Sequence, residues 1–197
     1  MTKKIALLSL LLAAVFALAG CGSDEPETET QTATNGDRFN DTDVAFASGM
    51  IQHHAQALAM VDTTMGRPLD PAVEELAEEI LAAQAPEIET MTAWLGDWDE
   101  PVPETMRDHS NAEGEMEMDS DMPGMMSSQD MDELETAVDA DFQEMWLEMM
   151  LEHHEGAVEM AQTEQDDGEF EPAMELAESI EASQSDEIEF MEGQLGS

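Results

Sequence analysis

Met50-Ile51-Gln52-His53-His54-Ala55-Gln56-Ala57-Leu58-Ala59-Met60 returns one hundred positions later as Met150-Leu151-Glu152-His153-His154-Glu155-Gly156-Ala157-Val158-Glu159-Met160. Both methionines, both histidines and the first shared alanine keep their places, and four of the five histidines lie in these two stretches. On a helix, residues three, four, seven and ten apart share a side. Met50, His53, His54, Ala57 and Met60 therefore form one stripe, and so do their counterparts. Met and Ala at this spacing usually build core, and a single His on such a stripe is usually a hydrogen-bonded core residue. Two adjacent pairs in matching methionine frames point further. Thioether and imidazole on one face make a soft-metal surface.

The offset continues beyond the histidines. Leu76-Ala77-Glu78, Ile80, Gln84, Glu87-Ile88-Glu89, Met91, Leu95 and Gly96 recur as Leu176-Ala177-Glu178, Ile180, Gln184, Glu187-Ile188-Glu189, Met191, Leu195 and Gly196. Each half reads as a helical hairpin. The first helix follows caps at Asn40-Asp41-Thr42-Asp43 and ends by Gly66-Arg67-Pro68. The second starts at Asp70-Pro71, with Asp70 as cap, carries Pro86 as a kink or loosened turn, and closes at Gly96. After a short helix from Met131 to about Val138, the third long helix runs from about Asp139 to Glu164. The fourth starts at Glu171-Pro172 and runs to Gly196. No strand signal competes. Two hairpins bury their stripes best on each other, which predicts an all-α four-helix bundle over 39–197. Repeat one is 39–98, a Met-rich linker 99–127, and repeat two 128–197.

The chain has 48 acidic against 5 basic side chains. Lys3 and Lys4 precede an apolar run from Ile5 to Leu18, too short for a comfortable membrane span, and Leu18-Ala19-Gly20-Cys21 resembles a bacterial lipobox. The expectation is a lipoprotein signal over 1–20, lipidation at Cys21, and an extracytoplasmic protein anchored to the outer face of the membrane, in the periplasm or at the cell surface. The exported chain would then carry 3 − 48 = −45 and no lysine. That excludes nucleic-acid binding through phosphates and charge-driven docking on anionic lipid. Cys21 is the only cysteine. Once acylated it leaves no thiolate, which excludes thiolate zinc sites and iron–sulfur clusters. Any sulfur ligand must be one of the 18 methionines. Residues 21–38 hold little that is apolar and read as a disordered acidic tether. The linker, with Met106, His109, Met116, Met118, Met122, Met125 and Met126, is either an acidic spacer or a secondary soft-metal tract.

Ferritin-like di-iron bundles place Glu three residues before each ligating His. Met50 and Met150 stand there instead, which favours copper over iron. The metal-site candidates are Met50, His53, His54, Met60, Met150, His153, His154 and Met160. Glu87, Met91, Glu187 and Met191 are secondary: the carboxylates could bond the second nitrogen of a ligating His. Because ligating imidazoles must be neutral, binding should weaken below about pH 6.

Met-Ile-x-His-His-x-x-Ala-x-x-Met from Met50, Leu-Ala-x-x-Ile-x-x-x-Gln-x-x-Glu-Ile-x-x-Met from Leu76, and Met122-Pro123-Gly124-Met125-Met126 with the second His pair resemble the bacterial domain of unknown function 305 family, over Asp43 to Trp98 and Met122 to Leu195. The family includes a periplasmic copper-binding protein. The resemblance implies a ferritin-like bundle and copper binding. Its ligand roles extend to Met50, His53, His54, Met60 and their partners. The extreme acidity departs from the family pattern. The resulting expectation is a non-enzymatic, membrane-anchored protein that buffers, sequesters or transfers copper or silver. A redox metalloenzyme on the same frame and a metal-free helical interaction module are the alternatives.

Overall fold

The computed structural model describes residues 29–106 and 122–196. Its elements are β1 (Gln31–Thr32), β2 (Arg38–Phe39), α1 (Asp41–Asp62), α2 (Pro71–Trp98), α3 (Ser128–Thr136), α4 (Asp139–Asp167) and α5 (Glu171–Leu195). The four long helices form the expected bundle of two hairpins, α1–α2 and α4–α5, joined by packing of α1 on α4. Among the described residues, no helix is long and apolar enough to cross a membrane. The leader and Cys21 lie outside the described residues.

Local chemistry explains the helix starts. Asn40 caps α1: its side chain accepts the N–H groups of Thr42 and Asp43, and the Asp43 carboxylate accepts the Asn40 N–H at 2.6 Å. This reciprocal box satisfies donors that every helix start leaves open. Pro71 opens α2, where its missing N–H costs nothing. Asp70 precedes it without capping. Its side chain turns to Gln143, which accepts the Asp70 N–H at 2.7 Å and donates to Asp70 Oδ2 at 3.0 Å, tying the α1–α2 turn to α4. Pro86 lies inside a helix that continues past it.

The absence of strands is corrected. β1 and β2 pair antiparallel across a turn in which Gly36 takes φ 100°, so the segment expected to be a tether folds over its last part. The stretch lacks enough apolar residues for a core of its own, but Phe39 docks it. The Phe39 ring stacks on Trp98 at 4.7 Å and 5°, and Phe170 meets Trp98 edge-on. The same box carries α2 beyond Gly96 to Trp98, where Asp99 ends it in the left-handed conformation.

The core has two halves. One joins Phe46, Met50 and Ile51 of α1 with Met91 and Leu95 of α2, Ala157 and Ala161 of α4, and Ala177 and Ile180 of α5. The other joins Ala57, Met60 and Val61 with Val73 and Ile80, Phe142, Trp146 and Met150, and Met191. Early α1 therefore packs on late α4, and late α1 on early α4: the two helices run antiparallel. Between the halves, on both helices, come the histidines.

Candidate metal centre

His53, His54, His153 and His154 are all completely buried. Where α1 meets α4, the rings of His53 and His153 face each other with centroids 3.7 Å apart and planes at 41°. The His153 and His154 centroids are 6.3 Å apart. His54 donates its Nε2–H to Glu87 Oε2 at 2.7 Å, and His154 does the same to Glu187 Oε2 at 2.7 Å. The two bonds are related residue for residue by the hundred-residue offset. Glu87 and Glu187 lie at the bundle boundary, with side chains 17% and 16% exposed. His53 donates its Nε2–H to the carbonyl of Pro123 at 3.1 Å.

These acceptors fix the tautomers. An imidazole whose Nε2 carries the donated proton keeps its lone pair on Nδ1. Among the described residues, Nδ1 of His53, His54, His153 and His154, together with Nε2 of His153, has no hydrogen-bond partner. A buried polar atom left so costs about 1–3 kcal/mol. Two of the rings, His53 and His153, are also held neutral. Burial above all, then the neighbouring His54, lowers the His53 pKa from 6.5 to about 3, against the pull of the Pro123 carbonyl. Burial, then the other three rings, holds His153 well below the ordinary imidazole value, with the His53 backbone opposing weakly. In both rings it is burial first that disfavours the added proton.

The methionines divide by position. Met50 and Met150 are fully buried one turn before the histidines, in opposite halves of the core, each in the half that holds Met91 or Met191. Met60 lies about 10 Å farther along the helix from His53 at 1.5 Å per residue. It packs in the second half of the core, and its carbonyl accepts Trp146 Nε1–H at 3.0 Å. Met160 is partly buried against the first half. The fold thus gathers the four histidines with Glu87 and Glu187, puts Met50 and Met150 next to them along the helices, and leaves Met60 and Met160 nearly two turns away. Among the described residues, no group of three or more His, Cys, Asp or Glu side chains stands ready to hold a metal ion.

Part of the Met-rich linker belongs to this centre. Met122–Met126 cross the bundle as a strap over α1 and α4, with Met126 buried. Gln56 clamps the strap through both ends of its amide, accepting Met126 N–H at 2.7 Å and donating to Met126 O at 2.9 Å. His109, Met116 and Met118 lie outside the described residues. Sequence reasoning missed Gln56, Gly156 and Pro123. The signal available was the replacement of the Gln56 amide by a bare glycine, Gly156, two residues after the repeated histidines.

A family model for a domain of unknown function, DUF305, matches residues 43–195. The chain belongs to the DUF305 family. Solved DUF305 structures share its fold. A fragment from Deinococcus radiodurans is 31% identical with a TM-score of 0.67, over 84% of this chain and 99% of that one. A DUF305 protein from Streptomyces coelicolor is 30% identical with a TM-score of 0.67, over 79% and 92%. CopM in its Cu(II)-bound form is 28% identical with a TM-score of 0.64, over 78% and 95%, and the match extends to its Cu(I)-bound form. No curated protein sequence matches this DUF305 chain.

Proposed function

We propose that this protein binds copper outside the cytoplasm, at the layer of four histidines between the two halves of its core. One observation carries the reading: four fully buried imidazoles direct their hydrogen bonds to the Pro123 carbonyl, Glu87 and Glu187 or make none, and among the described residues every Nδ1 is left without a partner. A bound cation would supply what those lone pairs lack. Imidazole nitrogen flanked by the Met50 and Met150 thioethers suits Cu(I), and imidazole alone suits Cu(II). Glu87 and Glu187 orient His54 and His154, as outer carboxylates do around metal sites. The histidines do not yet converge as a closed ligand set, so binding would draw in the one ring that no hydrogen bond holds, His153, with a thioether to complete the coordination. The CopM structures, which hold copper or silver on this fold, support the choice of metal. The leader and Cys21 support export and a lipid anchor. Carriage or buffering is the role we assign to the bound ion, and the complete burial of the four rings among the described residues supports its retention.

The test is copper stoichiometry by equilibrium dialysis under reducing and oxidising conditions, with the wild type beside a variant in which His53, His54, His153 and His154 are all alanine. Tight binding in the wild type that is lost in the variant is expected. Uptake retained in the variant would move the site to the linker or the acidic surface.

A further inference from the structure

The four imidazoles are related in pairs by the repeat, yet they are not equivalent. His54 and His154 have matching carboxylate partners. His53 has the Pro123 carbonyl, while among the described residues neither nitrogen of His153 meets a partner in hydrogen-bond geometry, the His53 backbone being the last and least of the influences on its ring. A carbonyl can only accept, so the strap decides which nitrogen of His53 bears the proton. The strap is seated by two positions that the repeat also relates, 56 and 156. Gln56 grips Met126 like a neighbouring strand. Gly156 clears the way: a Cβ there would stand 2.2 Å from Pro123 O and 2.6 Å from Gly124 N. Gly124 meets α4 in the same manner, at φ 72°, where a Cβ would lie 2.7 Å from Glu152 O and 2.9 Å from His153 O. Backbone thus lies on backbone, an approach that only glycine permits. Substitution of either copy by its counterpart would remove the clamp or block the seat.

We infer that the strap is a positioning element for His53: Gln56 and Gly156 hold the Pro123 carbonyl on Nε2–H, so that His53 presents its Nδ1 lone pair, and His153 is left as the one ligand free to change tautomer. The metal part of this inference rests on the proposed copper site. The tautomer part does not. Three lone pairs are preset in the metal-free protein, and only the fourth ring reorganises on loading. Gln56, Gly156 and Pro123 touch no candidate ion themselves; they act through His53.

Long-range proton–nitrogen NMR spectra of the metal-free full chain read the tautomers directly. His53, His54 and His154 should be single Nε2–H forms, and His153 should be mixed. Gly156→Ala should convert His53 to a mixture while leaving His54 and His154 unchanged, and should weaken Cu(I) binding by about tenfold or more, the scale on which outer-shell changes act. Gln56→Ala introduces no clash and should shift His53 the same way, which keeps the test open if Gly156→Ala does not fold. His53 protonated on Nδ1 in the wild type, or an unchanged His53 in both variants, would overturn the inference. The expected tautomers in a wild type that takes up no Cu(I) would uphold the strap and refute the copper site.

Discussion

Glu87 and Glu187 illustrate how a residue on the flank of a helix can govern chemistry inside it. Each holds an imidazole proton at 2.7 Å, so the lone pair on the opposite nitrogen faces inward. Glu87→Ala or Glu187→Ala removes no donor atom of the proposed site but frees a buried ring to rotate and exchange tautomers. Each is expected to lower copper affinity by roughly tenfold to a hundredfold, measured by competition with a chelator, and the two should cost similar amounts because their environments repeat. At this scale much was legible. The His pairs, their methionine frames and the carboxylates thirty-three residues on could be read from spacing alone. Met60 and Met160 could not be separated from Met50 and Met150, because a helical stripe says which side a residue faces and nothing about which layer its neighbours fill.

Helices whose positions repeat at a fixed offset are the easiest elements to read, and all four long ones stand close to where periodicity puts them. Pro86 is the exception within an element. Its counterpart is Asp186, so the position accepts an ordinary residue, and α2 runs on without help from the missing N–H. A proline inside a helix costs about 3 kcal/mol, offset in part by a stiffer unfolded chain. Pro86→Ala should therefore stabilise the protein by about 1–2 kcal/mol, seen as a higher urea midpoint with an unchanged slope. The short elements were illegible for a different reason. The β1–β2 hairpin is mostly polar and is held by one buried ring, Phe39 against Trp98, with the Arg38–Glu169 ion pair and the Gln31–Asp41 hydrogen bond beside it. The strap is held by a side-chain amide and by room beside two glycines. Neither kind of anchoring leaves a periodic trace, since the partner that makes it possible is distant in sequence.

The stability of the molecule as a whole is set by buried ionisable groups of opposite tendency. Glu164 is buried beside Asp43, whose carboxylate already accepts N–H groups from Asn40, Glu169 and Phe170. Burial first, then the bond and charge of Asp43, raise the Glu164 pKa from 4.5 to about 9. The folded state holds this proton more tightly than the unfolded one. The resulting stability is complete below pH 4.5 and is lost as pH rises toward 9. His53 and His153 behave in reverse: their pKa values are lowered, so their contribution is complete above 6.5 and is lost as pH falls below it, toward about 3 in the case of His53. The melting temperature of the metal-free protein should therefore peak near pH 6.5, with a fall on both sides. Glu164→Gln, which keeps a neutral donor, should flatten the alkaline fall and leave the acid one in place; circular dichroism melts across pH 4 to 9 would show it.

The meeting of His53 with His153 at the crossing of α1 and α4 also carries history. Each hairpin supplies half of a histidine layer and one apolar stripe, and neither half is complete alone. A single ancestral hairpin with this sequence pattern would have had to pair with a second copy of itself, its ion held on the axis between two identical chains. In a single chain the two halves need not agree: position 56 is a clamp where position 156 is a gap, and the two facing rings of His53 and His153 have different surroundings.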